Sequence, residues 1–562
     1  VEDVLVTELE EYLKAAGFGP RKAQTDLYTH LISADHQGVV AQAGTGTGKS
    51  AAIISAAAHQ ARHSWESQSI IVTPTLTLMN QYRDGDLPVA IEAFSDLNFA
   101  ELRGRAHYWC EMTKSGYDVM GIEYTGGCEG KDAGCSLKGW AGHDDGCEPG
   151  CEEEHDIRWM CEYQAAKAAA MRADVVVTNA DMLIVNDRIL APLGAEIFNM
   201  AGTLYVDEAH TLEQKLRDYA SRSLFWKSVE RFKFAGNASA KLSQWIRSQE
   251  KNAALKDTRG FPSDALISIA NAEMPPERPK DGLSKQRETQ EACIRILGYM
   301  NEPHENAVLH VNAGSLKMDW INVAKSSGEL LTQRAFGLVS ATVPRTMAAT
   351  LGVADAPFID VGHPFDYAKQ AWIGFSPYGG DYRSAQSDSN FEFRIGEVRD
   401  LILRAKGGAL ILFSSFRDLE RVSEALTPAL RTVHGLKVLI QDRDMEAADR
   451  QALADEFKAD GNAVLFGSES FATGFDVPGD ALRLVVVWKL PYPAVDPVSN
   501  AIRSQSYQRY EDIMKVRAVQ AIGRLIRRES DKGIVWLADA RGRRLMDTSD
   551  PLTSHIPQFA RL

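Results

Sequence analysis

Residues 38–50 read GVVAQAGTGTGKS, an apolar strand running into a glycine–threonine loop and then an alanine-rich helix from Ala51. That strand–loop–helix order is what a phosphate-binding loop needs. Gly44, Gly46 and Gly48, interleaved with Thr45 and Thr47, let backbone N–H groups turn inward on phosphates, and the helix N-terminus adds its positive end. In that arrangement Lys49 reaches the β- and γ-phosphates of ATP and Ser50 ligates Mg²⁺. A plain Gly/Thr turn before a helix is the competing reading, and a Lys-Ser pair in register after a buried strand argues against it.

Outward from the loop the same grammar repeats. SIIVTPT (69–75), ADVVVTN (173–179) and GTLYVDEAH (202–210) are short buried strands ending in turns. It restarts with GGALILFSS (407–415), HGLKVLIQ (434–441), NAVLFGSESF (462–471), LRLVVVWKL (482–490) and GIVWLADAR (533–541). Such runs alternating with helical stretches predict an α/β fold with two parallel-sheet lobes. Lobe 1 is expected over 1–100, 166–210 and 336–355, and lobe 2 over 356–562. Two segments interrupt the first lobe: a cysteine-rich, glycine-rich stretch over 101–165, and a stretch over 211–335 whose spacing reads as all-helical, broken at MPPERP (274–279).

The chain has 562 residues, too many for one core, and its 44% hydrophobic and 25% charged content is that of a globular protein. Lys plus Arg number 62 and Asp plus Glu 76, a net charge of −14, which excludes a coat-like nucleic-acid binder but not a local basic groove. No apolar run approaches the roughly 18 residues that span a bilayer. With no basic leader before an apolar stretch, a cytoplasmic, membrane-free protein is expected. Six of seven cysteines, Cys110, Cys128, Cys135, Cys147, Cys151 and Cys161, are clustered, which reads first as a metal or cluster site and second as disulfides. The seventh, Cys293, reads as a small buried hydrophobe.

LYVDEAH complements the phosphate loop. Asp207 and Glu208 follow an apolar strand, at the sheet edge where ligands of open α/β folds bind. Asp207 is expected to hold Mg²⁺ through water, Glu208 to orient and deprotonate the attacking water, and His210 to couple the nucleotide site to the second lobe. In QAIGRLIRR (520–528), Arg524 and Arg527 stand three apart, a helix-face spacing that suits an arginine finger aimed at a γ-phosphate. A solvated or nucleic-acid-binding basic helix is the alternative.

Taken together, AGTGTGKS, DEAH, the tripeptide Ser340-Ala341-Thr342, SFATGFDVPG (470–479), KLPYP (489–493) and QAIGRLIR resemble the DinG/XPD group of superfamily 2 helicases. FGPRKAQTDL, with Arg21 and Gln24, is similar to the group's adenine-facing motif, and GHPFDYAKQ (362–370) to its SPF segment, with Gly-His replacing the leading Ser. The resemblance covers nearly the whole chain. It implies two RecA-like lobes, ATP-driven 5′→3′ movement on single-stranded DNA, an iron–sulfur insertion and a helical arch. Asp476 and Gln520 then join the nucleotide site, while Ser340, Thr342, Thr473 and Gly474 relay between sites.

RGRAHYWC (103–110) and the stretch from Cys161 look like those holding the group's first and last cluster ligands. Cys110, Cys147, Cys151 and Cys161 are the leading 4Fe–4S set, with Cys128 and Cys135 as alternates; zinc and a remnant domain without metal stay open. The compact length and the irregular cysteines also resemble the CRISPR-associated type IV DinG subgroup, which implies action on an R-loop beside an RNA-guided complex; forked duplex is a further candidate substrate, and a monomer is expected. Strand contacts are expected from Thr73, Thr75, Ser414 and Ser415, with Tyr108, Trp109, Phe471 and Phe475 as stacking candidates for which core packing is the alternative. The rival functions are a DNA-stimulated ATPase that remodels complexes without unwinding, and a recruitment scaffold that turns nothing over.

Overall fold

The computed structural model describes residues 7–33, 37–64, 68–108, 162–199, 202–249, 253–255, 260–275, 283–379, 388–471, 477 and 479–562. Strands β1 (Gly38–Gln42), β2 (Ser69–Thr73), β3 (Phe99–Leu102), β4 (Val175–Asn179) and β5 (Leu204–Val206) belong to the first lobe. The inserted segment contributes β6 (Arg222–Phe225), β7 (Ala253–Ala254), β8 (Ala307–Asn312) and β9 (Ser315–Trp320) before the chain returns with β10 (Phe336–Ser340) and β11 (Phe358–Asp360). The second lobe holds β12 (Ala371–Phe375), β13 (Ala409–Phe413), β14 (Val438–Ile440), β15 (Val464–Ser468), β16 (Leu484–Val487), β17 (Gly533–Leu537) and β18 (Ala560–Arg561).

Two seven-stranded parallel sheets result, in the orders β11-β1-β10-β5-β2-β4-β3 and β14-β15-β13-β16-β17-β12-β18. Unbroken apolar strands suit sheets covered on both faces. In β2, Ile70 and Val72 enter the core on one face and Ile71 the core on the other; in β13, Leu410 and Leu412 part from Ile411 and Phe413 in the same way. The two α/β lobes are therefore as expected from the pattern of strands.

Two boundaries differ from the sequence reading. Residues 358–360 form the edge strand of the first sheet, Val40 lying opposite Phe358, so the first lobe extends past 355 and the second begins with the linker into β12. A three-residue strand is too short to register as a periodic signal. The inserted segment is not all-helical either: among its described residues, β6, β9, β8 and β7 form an antiparallel sheet beside its helices. Leu309, Val311, Leu316 and Met318 alternate into its core, which also encloses Cys293. Burial pushes the Cys293 thiol up to about 12, as fits an inert core residue. Among the described residues no helix is long and apolar enough to cross a membrane.

The β8–β9 hairpin hid because its turn is atypical. Asn312 pairs with Ser315, leaving Ala313 and Gly314 at φ +50° and +76°, a type I′ turn with alanine where asparagine or glycine is usual. Ala313→Gly should relieve the left-handed strain and raise the unfolding free energy of this unit, read from urea denaturation, by about 0.5–1 kcal/mol.

Candidate nucleotide site between the lobes

The carboxyl ends of β1, β10 and β5, which are neighbours in the first sheet, deliver the phosphate loop, Ser340 and Asp207-Glu208 to one edge. The loop's glycines are required by close approach as well as by φ. Gly46 and Gly48 sit at φ +80° and +84°, and a Cβ would meet Phe365 at 2.4 Å or Gln24 at 2.6 Å. Arg21 Nη1 donates to the Gly46 carbonyl at 2.5 Å and Gln24 Nε2 to that of Gly48 at 3.2 Å, so both motif residues grip the loop's backbone. Thr47 Oγ1 donates to the Gly44 carbonyl at 2.6 Å and is wholly buried.

Lys49 Nζ lies 3.8 Å from Glu208 Oε1, both side chains being partly exposed, at 12% and 28%. Asp207 is buried, accepts from the Tyr82 hydroxyl at 3.2 Å and from the Glu208 amide at 2.9 Å. Ser50 Oγ donates to Asp86 at 3.2 Å. Burial and the neighbouring Glu208 charge push the Asp207 carboxyl up, only partly offset by Lys49. Burial would raise Glu208 too, but Lys49, His210 and Ser340 outweigh it and hold that carboxyl below its ordinary range. Two adjacent carboxylates thus divide into one whose burial favours the neutral form and one held ionised by its neighbours. The glycine cradle, the cation and the hydroxyl and carboxylate oxygens form a donor set that fits a magnesium-bound triphosphate.

A relay leads from Glu208 into the second lobe. Ser340 Oγ donates to Glu208 Oε2 at 3.1 Å, His210 Nδ1 is 2.8 Å from Ser340 Oγ and 3.5 Å from Thr342 Oγ1, and Gln520 Nε2 is 2.8 Å from His210 Nε2. The two ring nitrogens of His210 thus lie between Gln520 on one side and Ser340 on the other, joining Glu208 to the second lobe.

Gln520 belongs to the helix Tyr507–Ile522, whose successive turns face the first lobe. Its Arg509 pairs with Glu213, and its Asp512 accepts from Thr346 N at 3.2 Å and Thr346 Oγ1 at 2.8 Å. Arg524 and Arg527 are not on a helix face, as their spacing suggested: the helix stops at Ile522 and they lie in the turn after it. They nonetheless line one cleft of about 100 Å³ with Thr45, Glu208, Thr342 and Gln520. Buried Asp531 forms the turn by accepting the amides of Arg527 and Arg528 at 2.8 Å and of Gly479 at 3.0 Å.

A second cleft, of about 770 Å³, runs between the lobes past Thr75, Lys215, Arg509 and Arg517, and shares Gln520 with the first. Among the strand-contact candidates, Thr75 and Ser414 are exposed, Thr75 and Ser415 capping helices through Leu78 N and Asp418 N. Thr73 and Phe471 are buried, and half-buried Tyr108 packs edge-on to Tyr163 against the first-lobe core. Phe471 packs in the second-lobe core. Trp109, the six clustered cysteines, Thr473, Gly474, Phe475 and Asp476 lie outside the described residues. Sequence reasoning missed Asp86, Tyr82 and Asp531; the partners of these side chains are distant in the chain or backbone amides, and no motif announces them.

The helicase C-terminal domain family matches residues 398–558 and the DEAD/DEAH box helicase family residues 21–84. The chain is 27% identical to the ATP-dependent helicase DinG of Mycobacterium tuberculosis, covering 94% of this chain and 91% of that one. It is 24% identical to the ATP-dependent DNA helicase YoaA of Escherichia coli, covering 93% and 92%. In fold it is similar to a solved XPD helicase, with a TM-score of 0.65 at 16% identity over 97% of this chain and 99% of that one.

Replacing Asp531 by alanine strands three backbone amides. This should cost about 3 kcal/mol in urea unfolding and reduce kcat for ATP more than nucleotide affinity, because the turn carrying Arg524 and Arg527 loosens.

Proposed function

We propose, on the premise that the chain is a DinG/XPD-like superfamily 2 helicase, that it couples ATP hydrolysis to 5′→3′ movement along single-stranded DNA and separates duplex DNA or RNA–DNA hybrid ahead of it. The observation that carries this reading is the convergence at a single cleft of Thr45 and Glu208 from one lobe, Glu208 lying 3.8 Å from Lys49, with Gln520, Arg524 and Arg527 from the other. Hydrolysis there is sensitive to lobe closure by construction.

Arg21, Gln24 and the backbone of Gly44 to Ser50 hold the nucleotide. Ser50 and Asp207 are the ligands offered to Mg²⁺, which when bound neutralises charge on the β- and γ-phosphates. Glu208, kept ionised by Lys49 and its hydroxyl and imidazole neighbours, orients the attacking water and takes its proton. Arg524 and Arg527 stabilise charge on the γ-phosphoryl group as it passes from ADP, the leaving group, to water, a contribution on the order of 10³–10⁵ in rate for such arginines. As Gln520 lines both clefts and bonds His210, loss of the γ-phosphate is relayed to the larger cleft, where alternating grips of the two lobes advance the strand.

The finer parts of the proposal rest on the sequence resemblance: 5′→3′ polarity, a 4Fe–4S cluster on Cys110, Cys147, Cys151 and Cys161, and action on the R-loop of an RNA-guided type IV complex. Elemental analysis for iron with absorbance near 400 nm tests the cluster.

Lys49→Ala should lower kcat for ATP about 100-fold or more with an unchanged melting curve. Sustained unwinding by that variant would refute the motor. On forked duplexes, a 5′ tail should support strand separation and a 3′ tail should not; separation with neither would leave a remodelling ATPase as the function.

A further inference from the structure

Two histidines far apart in the chain meet over the phosphate loop. His363 lies in the linker between β11 and β12, at the position where GHPF departs from the SPF segment, and His555 lies in the C-terminal segment before β18. Their rings pack with centroids 4.2 Å apart and 33° between planes, and both line the nucleotide cleft beside Thr45, Glu208, Arg524 and Arg527. His363 rests directly on the loop: a Cβ on Gly44 would fall 2.1 Å from its Nδ1. Its Nδ1 is 3.5 Å from the Tyr367 hydroxyl, while its Nε2 has no hydrogen-bond partner. His555, 5% exposed, has an equally unpartnered Nδ1. Buried ring nitrogens without partners are costly, and two of them in one cleft mark a place for a ligand that hydrogen-bonds them.

The charges around the pair set its proton balance. Burial, with some help from Lys49 and against the pull of Asp360, drives His363 down to about 4. Burial, then the His363 ring, drives His555 well below its ordinary value. Arg524 and Arg527 also face the cleft and oppose a further positive charge, Glu208 favours one, and the Tyr367 phenol stays protonated because burial raises it. Both imidazoles are neutral near pH 7 before a ligand enters, and at 4.2 Å separation only one can charge readily.

We propose that His363 and His555 form a proton-linked contact for the terminal phosphate of bound ATP, one imidazole taking up a proton as the phosphate enters and donating an N–H to it. The inference rests on the reading of this cleft as the ATP site and adds a ligand contact to it. The phosphate's negative charge supplies what burial withholds, so the pair's affinity for a proton rises on binding. Linkage then makes ATP bind more tightly as pH falls from 8 toward 6, by at most tenfold per pH unit for a single proton. ADP, which lacks the terminal phosphate, gains no such slope.

The test is equilibrium titration of the full chain with fluorescent ATPγS and fluorescent ADP, each with Mg²⁺, at pH 6, 7 and 8. The wild-type protein should bind the ATPγS probe at least threefold more tightly at pH 6 than at pH 8, with ADP changing less than half as much. His363→Asn, His555→Asn and the double variant should flatten the ATPγS profile toward that of ADP. A flat wild-type profile overturns the proposal whatever the variants do, and so does a double variant that loses affinity but keeps the slope, since that is a packing role. Absence of nucleotide binding at every pH would instead defeat the ATP-site reading itself, which separates the two failures.

Discussion

Everything in this molecule depends on three parallel strands lying side by side. Because β1, β10 and β5 are adjacent and run the same way, the phosphate loop, Ser340 and the Asp207-Glu208 pair emerge at one sheet edge although the chain visits them far apart. A parallel sheet orders its carboxyl ends without any further interaction, and a ligand at that edge meets loops from several strands at once. The first-lobe half of the site therefore requires no flexible reach: Lys49 meets Glu208 at 3.8 Å, and Ser340 already bonds the same carboxylate.

The second half arrives on a single helix. Tyr507–Ile522 presents Arg509 to Glu213, Asp512 to Thr346 and Gln520 to His210, so one rigid rod sets the spacing of the lobes and of the relay. Lys515 of the same helix pairs with buried Asp550 at 2.7 Å, and Asp550 also lies 3.7 Å from Arg345 of the first lobe. These contacts are polar and partly buried. Separating the lobes would leave buried Arg509 without Glu213 and take Arg345 away from Asp550, and stranding a buried charge such as Arg509 is expensive. A junction built this way favours discrete closed and open arrangements over a continuum, and that suits a site whose groups must assemble and part in each turnover.

Much of this was legible in the chain. Consecutive apolar residues such as SIIVT and ALILF admit only a sheet covered on both faces, and the glycines of GTGTGKS admit only a backbone that approaches something closely. The hairpin at 307–320 was not, since Ala313 replaces the residue that usually marks a type I′ turn. Neither was the route of Arg524 and Arg527, whose spacing matches a helix although the helix stops at Ile522 and Asp531 folds the following turn through the amides of Arg527 and Arg528.

Local pattern by itself determined the α/β class, the phosphate loop, the paired carboxylates and the presence of two lobes, because each follows from steric and solvation rules acting over a few neighbouring residues. Only the tertiary structure decided which distant residues share the cleft. It alone gave β11 to the first sheet, closed Asp86 onto Ser50, Asp531 onto the arginine turn and His555 onto His363. Such contacts join segments that have no common periodicity, so nothing in either segment specifies its partner until the sheets have brought them together.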